Sequence, residues 1–458
     1  MESKSNKSIL KKIKHRLSIS RNHTQSAPAL STLNSDAPAL SIPRHNATHA
    51  IVYNPYGINN NHAVFEDLIE KREPSSEEKH TTLPYPTESP AKHVPEPFRV
   101  TIEDLEQLYQ LTESSSFIGE GGSASIRKVQ RIPDKKLVAL KIFNVFKEEA
   151  ATTYYKRVSR EFIITKNLTH VHVATVYELV RLPVILSRTW GMVMDYYHGD
   201  LLSILRQGRW HNIPLNEKLC YFKQIVFGLY HLHIHDVVHL DLKPANILVE
   251  QGVLKITDFG CGDFGHLQPG HFESGVRLSD VIQGTPPYQS PEITRLRNTK
   301  GSYDPFKADL WSLGIMLFVI LKGRVPFKEA QPLDKDYLEY EHNHKLYRDL
   351  NPSFSKDDVL KVPNKGELSQ EFPHPQLVRL FWRLCDPAVE TRMTLKQLFS
   401  SEYFQKIETC FKETAEDNVT IVDYQGNFVE STGVGKVADL ADVEKARNCL
   451  IVNHIHSF

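Results

Sequence analysis

The run Val237-Val238-His239-Leu240-Asp241-Leu242-Lys243-Pro244-Ala245-Asn246-Ile247-Leu248-Val249 sets an aspartate, a lysine two positions later and an asparagine five positions later between apolar flanks. A loop of that kind can bring a base, a cation and a metal ligand together. Asp258-Phe259-Gly260 follows 17 residues after Asp241. With Asn246, the Asp258 carboxylate completes an oxygen donor set of the kind that Mg2+ prefers beside substrate phosphates. Two weaker signals lie upstream. In Gly119-Glu120-Gly121-Gly122-Ser123-Ala124-Ser125-Ile126, glycine lets backbone N–H groups approach phosphate oxygens with no Cβ in the way, although a glycine cluster in a hairpin is more often a plain turn. Lys141, in Val138-Ala139-Leu140-Lys141, needs an anionic partner if its strand is half buried, because an unpaired buried ammonium loses its proton or weakens the strand. Glu161, in Arg160-Glu161-Phe162, can supply that partner. Taken alone, Lys141 also reads as a strand-edge lysine reaching for water.

These residues need elements to hold them. Phe117-Ile118 and the alternating Leu137 to Phe143 predict a hairpin of strands around the glycines. Tyr154, Val158, Phe162 and Ile163 have helical spacing, and Val173 to Leu179 and Gly191 to Asp195 are strand-like. A dinucleotide-binding unit requires a helix straight after the glycines, whereas a second strand follows here. From Leu215 onward helices dominate: Leu219 to His233, Leu310 to Leu321, Gln376 to Leu384 and Leu395 to Phe399. The expectation is a β-rich part followed by an α-rich part, with order ending near Phe404 and a tail over 405–458 that no pattern places.

This set of motifs resembles the eukaryotic protein kinases over residues 112–404. Gly284-Thr285-Pro286-Pro287-Tyr288-Gln289-Ser290-Pro291-Glu292 resembles the end of an activation segment. Asp309-Leu310-Trp311-Ser312-Leu313-Gly314 resembles the start of the buried helix beyond it, and Arg392 comes late enough to pair with Glu292. The resemblance implies an α+β, bilobal fold, with a small β-rich N-lobe and a larger α-helical C-lobe. It implies that Ile118, Gly119, Glu120, Gly121, Gly122, Ser123, Ala124, Ser125 and Ile126 cover ATP, and that Lys141, oriented by Glu161, contacts its α- and β-phosphates. Met194 is the gatekeeper in this reading. Backbone groups of Asp195 and Tyr197 pair with adenine between Ile126 and Ala139 above and Leu248 below, and Asp200 lies near the ribose. Asp241 accepts or orients the substrate hydroxyl proton, Lys243 neutralises charge on the transferring phosphoryl, and Asn246 with Asp258 holds Mg2+. Lys243-Pro244 and Thr285 point to the serine/threonine branch.

The chain departs from the family in places. Leu240 stands where many kinases carry the arginine that grips an activation-segment phosphate, which puts activation through that clamp in doubt. Ala124 replaces the third glycine, and Thr165, one turn after Glu161, replaces an apolar packing residue. Ala245 and Val319 stand where arginine-directed kinases often have acids, so no strong preference for basic substrates is expected. Ser274, Ser279 and Thr285 are the segment's candidate modification sites. Tyr155 to Phe162, a Ser/Thr-rich N-terminus and His454 and His456 are also similar to the fungal Hal/Npr kinases. That similarity implies partners among membrane transporters or their ubiquitylation adaptors.

Composition narrows the remaining classes. Over 458 residues, 55 Lys+Arg balance 55 Asp+Glu, so no global field holds nucleic acid or an anionic membrane, and any such contact is local. Five scattered cysteines without a C-x-x-C pair fit neither a disulfide framework nor a zinc site, and favour a reducing, cytoplasmic setting. The longest apolar run, Leu310 to Leu321, is too short to span a membrane. Residues 1–97 are rich in Pro, Ser and Thr and are expected to be disordered. Their basic start admits three readings: a solvated arm, a membrane-surface segment carrying Ile9, Leu10, Ile13 and Leu17, and a transit peptide. Two other functions compete with the kinase: a pseudokinase that binds partners without phosphoryl transfer, supported by Leu240 and Ala124, and a membrane-associated scaffold acting through the N-terminal arm.

Overall fold

The computed structural model describes residues 88–99, 105–111, 117–120, 122–183, 186, 189–208, 210–355, 366–411, 416 and 418–448, all within the unit Ala50–Phe458. Expectations placed on residues 1–87, and on Gly121, His454 and His456, fall outside them.

The N-terminal part is an antiparallel sheet of β1 (Tyr109–Gln110), β2 (Phe117–Glu120), β3 (Ala124–Arg131), β4 (Leu137–Phe143), β5 (Val176–Arg181) and β6 (Trp190–Asp195), in the order β1-β3-β4-β6-β5 with β2 also on β3. Helix α1 (Ala151–Lys166) belongs to this part and buries Tyr154, Val158, Glu161, Phe162 and Thr165. That helical spacing places Glu161 on the buried face. Two-residue β7 (Gly199–Asp200) leads to α2 (Leu201–Arg206), and Asp200 caps α2 by accepting from the Ser203 amide at 2.8 Å.

The C-terminal part is built on α3 (Leu215–Ile234) and α4 (Pro305–Lys322). Residues Ala308 to Leu321 of α4 are all buried, as a helix apolar on every side must be. Its ends are encoded locally. Asp304 accepts from the Phe306 and Lys307 amides, Pro305 takes the first position, and Gly323, at φ 72°, closes the helix in the left-handed region. A Cβ on Gly314 would lie 2.5 Å from the Cys385 sulfur, so glycine lets the end of α6 approach. That helix (α6, Pro375–Leu384) follows α5 (Lys335–Leu350) and precedes α7 (Leu395–Ser400). Three short strands form the site: β8 (Val237–Val238) and the hairpin β9 (Ile247–Glu250) with β10 (Val253–Ile256). β11 (Asp263–Phe264) pairs with β8.

Two expectations at the ends are corrected. Order does not stop near Phe404: β12 (Thr420–Val422) pairs with β13 (Phe428–Glu430), and α8 (Leu440–Arg447) follows. Val419, Ile421, Val434, Ala438, Val443 and Ala446 join the main core. These residues come only in short pairs at strand or helix spacing, too brief to read as a period, and they become core only where the body offers a surface. At the other end, residues 88–99 pack on the N-lobe. The Glu88 carbonyl accepts from Trp190 Nε1 at 2.9 Å, and His93 stacks on Tyr155 at 4.3 Å.

Candidate active site

The loop after β8 is held from beneath by one carboxylate. Fully buried Asp309, on α4, accepts from the His239 amide at 2.8 Å, the Leu240 amide at 2.7 Å and His233 Nε2 at 3.1 Å. His239 Nε2 donates to the Thr257 carbonyl at 3.0 Å, while its Nδ1 accepts from the Asp241 amide at 3.2 Å. Those bonds set one tautomer and tie the loop to the residue before Asp258. Leu240 and Asp258 both lie in the left-handed region, at φ 62° and 65°. This is a costly backbone for non-glycine residues and persists only when surroundings impose it.

Asp241, Lys243 and Thr285 form a closed set. Lys243 Nζ donates to Asp241 Oδ2 at 2.6 Å and to Thr285 Oγ1 at 2.8 Å, and Thr285 Oγ1 donates to Asp241 Oδ1 at 2.7 Å. Burial would push the Lys243 ammonium toward losing its proton, but the Asp241 carboxylate outweighs it and raises the pKa. Thr285 is therefore buried inside the site rather than displayed for modification, which corrects its place among the candidate modification sites. Ser274 Oγ donates to the His271 carbonyl, and Ser279 pairs with Tyr303.

Across the cleft, Lys141 Nζ meets Glu161 Oε1 at 2.6 Å and Asp258 Oδ1 at 2.6 Å. Burial works against the Lys141 charge, but Asp258 and Glu161 together hold its pKa above the ordinary lysine value. In return the Lys141 ammonium draws the Asp258 carboxyl down to about 2. Sequence spacing identified Glu161 as the partner; the second carboxylate, 117 residues away, came only from the fold. The register Ile247↔Ile256 of the β9–β10 hairpin brings Asn246 and Asp258 close, and the Thr257 amide donates to the Asn246 carbonyl at 3.0 Å. Asn246 spends its amide nitrogen on the Asp241 carbonyl at 2.9 Å, which leaves its oxygen end, with the Asp258 carboxylate, as hard donors of the kind Mg2+ takes.

Five of the residues expected around a nucleotide come together. Ala124, Ala139 and Met194 share one cluster, with Ile126 and Leu248 packed against it, and Ala139 is the register partner of Met194. Asp195 turns its side chain to Tyr177 and Lys136, and Tyr197 lies between β6 and β7. Asp200 stands opposite Leu248, with both carboxylate oxygens on Ser203. Of the glycine-rich run, Ile118, Gly119 and Glu120 lie on β2, Gly122 and Ser123 in the turn, and Ala124, Ser125 and Ile126 on β3. The departures are accommodated locally. Thr165 is buried and donates to the Glu161 carbonyl at 2.6 Å, and Leu240 joins an apolar cluster with Val238, Ile293, Tyr303 and Ala308. Arg392 grips Glu292 through two bonds of 2.5 and 2.9 Å.

Sequence reasoning did not assign Asp309 its role. The signal was there, a lone carboxylate opening an apolar run, but its partners lie about seventy residues upstream.

The description "Protein kinase domain" matches residues 112–404 of this chain. The chain is 33% identical over 405 residues to Serine/threonine-protein kinase PTK2/STK2 of Saccharomyces cerevisiae, covering 82% of this chain and 49% of that protein. It is 32% identical to Serine/threonine-protein kinase PTK1/STK1 of the same yeast over 388 residues, 80% of this chain and 59% of that one. Serine/threonine-protein kinase HAL4/SAT4, also from that yeast, is 28% identical over 279 residues, 60% of this chain and 42% of the relative. The chain thus spans about half the length of the relatives it matches.

Proposed function

The chain belongs to the protein kinase family, and from that premise we propose that it transfers the γ-phosphate of ATP to serine and threonine hydroxyls of proteins. The observation that carries this reading is the facing pair of charged sets, Lys141 with Glu161 and Asp258 on one side and Asp241 with Lys243 and Thr285 on the other. Asp241 orients the acceptor hydroxyl and takes up its proton, Lys243 offsets charge on the phosphoryl in flight, and Lys141 holds the nucleotide phosphates. Mg2+ held by Asn246 and Asp258 would neutralise phosphate charge. The buried Leu240 side chain packs with Val238, Ile293, Tyr303 and Ala308 while both charged sets are formed, which favours transfer over the pseudokinase reading.

The similarity to HAL4/SAT4 and the Tyr155 to Phe162 wording support a finer reading, in which the substrates include membrane ion or nutrient transporters or their ubiquitylation adaptors. In this reading the protein acts in the cytoplasm, with the basic N-terminal arm at a membrane surface. No helix among the described residues is long and apolar enough to cross a membrane.

The test is phosphoryl transfer from ATP with Mg2+ to a mixed Ser/Thr acceptor pool, beside Asp241→Ala. Loss of the base should lower the rate by about a hundredfold or more while nucleotide binding persists. Equal rates in both proteins, or no transfer by a folded, ATP-binding parent, would remove the kinase reading.

A further inference from the structure

Helix α1 carries Glu161 to Lys141, and its position therefore decides whether the phosphate-binding lysine is oriented. Two contacts on that helix come from far along the chain. At its C-terminal end, the Asn167 side chain acts as a strand-like partner for Val422 on β12. Asn167 Nδ2 donates to the Val422 carbonyl at 2.9 Å, and the Val422 amide donates to Asn167 Oδ1 at 2.6 Å. One residue before Glu161, Arg160 pairs with Asp263 Oδ2 at 2.5 Å, and the other oxygen of that carboxylate accepts from the Tyr424 hydroxyl at 2.6 Å. Asp263 belongs to β11, five residues beyond Asp258, and Tyr424 lies in the turn between β12 and β13. The Tyr424 ring sits edge-on to Phe264 at 4.9 Å and packs against both the N-lobe and the C-lobe clusters.

The same C-terminal segment fastens the chain beyond β11. The Thr432 amide donates to the Gly270 carbonyl at 3.0 Å, the Phe272 amide donates to Thr432 Oγ1 at 3.1 Å, and Lys436 pairs with Glu273 at 2.7 Å. A Cβ on Gly270 would lie 2.9 Å from Val429 and 3.1 Å from Ile421, so that turn is seated on the hairpin. Meanwhile the position from which many relatives grip an activating phosphate holds Leu240, sealed in an apolar cluster.

We propose that the β12–β13 hairpin is a built-in activator of this kinase, with Tyr424 and Asn167 as positioning residues that set α1, and through it Glu161 and Lys141, for catalysis. This rests on the kinase reading above. The hairpin reaches α1 and β11 together, and does from within the chain what a phosphate on the activation segment would otherwise do. Burial and the neighbouring Asp263 carboxylate keep the Tyr424 phenol protonated, as a donor.

The test compares full-length parent, Tyr424→Phe, Asn167→Ala and the conservative Asn167→Gln for kcat, KM for ATP, melting temperature and hydrogen exchange of residues 155–166. Removing the hydroxyl or the amide should lower kcat/KM about tenfold, the size expected when a bond to a charged or buried partner is lost. KM for ATP should rise and exchange in α1 should speed up, with partial recovery in Asn167→Gln. Loss of folded protein alone would lower the apparent kcat and leave KM unchanged, and that result would overturn the proposal, as would a Tyr424→Phe enzyme with parent kinetics and parent exchange in α1. A parent without transfer would count against the kinase reading instead; in that case unchanged exchange in Tyr424→Phe still overturns the brace.

Discussion

At the scale of single residues, the site is defined by which charges have partners. Lys141 and Lys243 each sit in a largely buried place and each keeps its proton because carboxylates lie 2.6 Å away. Leu240 is the reverse case, a position where a charge would have none. Its side chain is 5% exposed among Val238, Ile293, Tyr303 and Ala308. Leu240→Arg should therefore destabilise the fold by about 3 kcal/mol or more rather than restore a phosphate grip, since it places a guanidinium in an apolar cluster. Thermal unfolding checks this, and an unchanged melting temperature would show that the cluster opens to solvent more easily than its packing implies.

Elements position the site through a few long-range ties. The loop carrying Asp241 hangs from Asp309 on α4, and the segment ending at Glu292 is anchored by Arg392 beyond α6. The Arg392 side chain has no solvent exposure and that of Glu292 is 10% exposed, so deleting one partner strands the other charge. Arg392→Ala should cost about 3–5 kcal/mol, read as a fall in the denaturant midpoint. Asp309→Asn keeps the shape but weakens both backbone ties. It should lower kcat with a smaller loss of stability than Arg392→Ala, and the reverse ranking of stabilities would show that Asp309 is chiefly structural.

For the whole molecule, the buried His235, which caps the C-terminal end of α3, links stability to pH. Burial, reinforced by the neighbouring His231, pulls the His235 pKa down to about 3, and His235 Nδ1 donates to the His231 carbonyl at 2.8 Å. In the unfolded chain the same imidazole takes its proton near the ordinary histidine value of 6.5. The native contribution is thus complete above about pH 6.5 and is lost as the pH falls from there toward 3. Melting temperature should decline between pH 7 and pH 5 more steeply in the parent than in His235→Gln, and equal slopes would assign the acid sensitivity to other groups.

Much of the site was legible in the sequence because its chemistry is carried on short, continuous stretches. Asp241, Lys243 and Asn246 lie within six positions, and a strand period or a helical spacing is enough to place Lys141 and Glu161. The body of α4 was legible too, as the apolar run Leu310 to Leu321, whereas its first turn from Pro305 and its caps at Asp304 and Gly323 were seen only in the fold. Other features needed the folded path. Thr285 is a surface hydroxyl by composition and a buried donor by position. Asp309 finds its amides about seventy residues upstream, and Tyr424 meets Asp263 across 161 residues. Spacing along the chain fixes neighbours within a turn or a strand, whereas a contact across such distances exists only once the core has closed and brought the segments together.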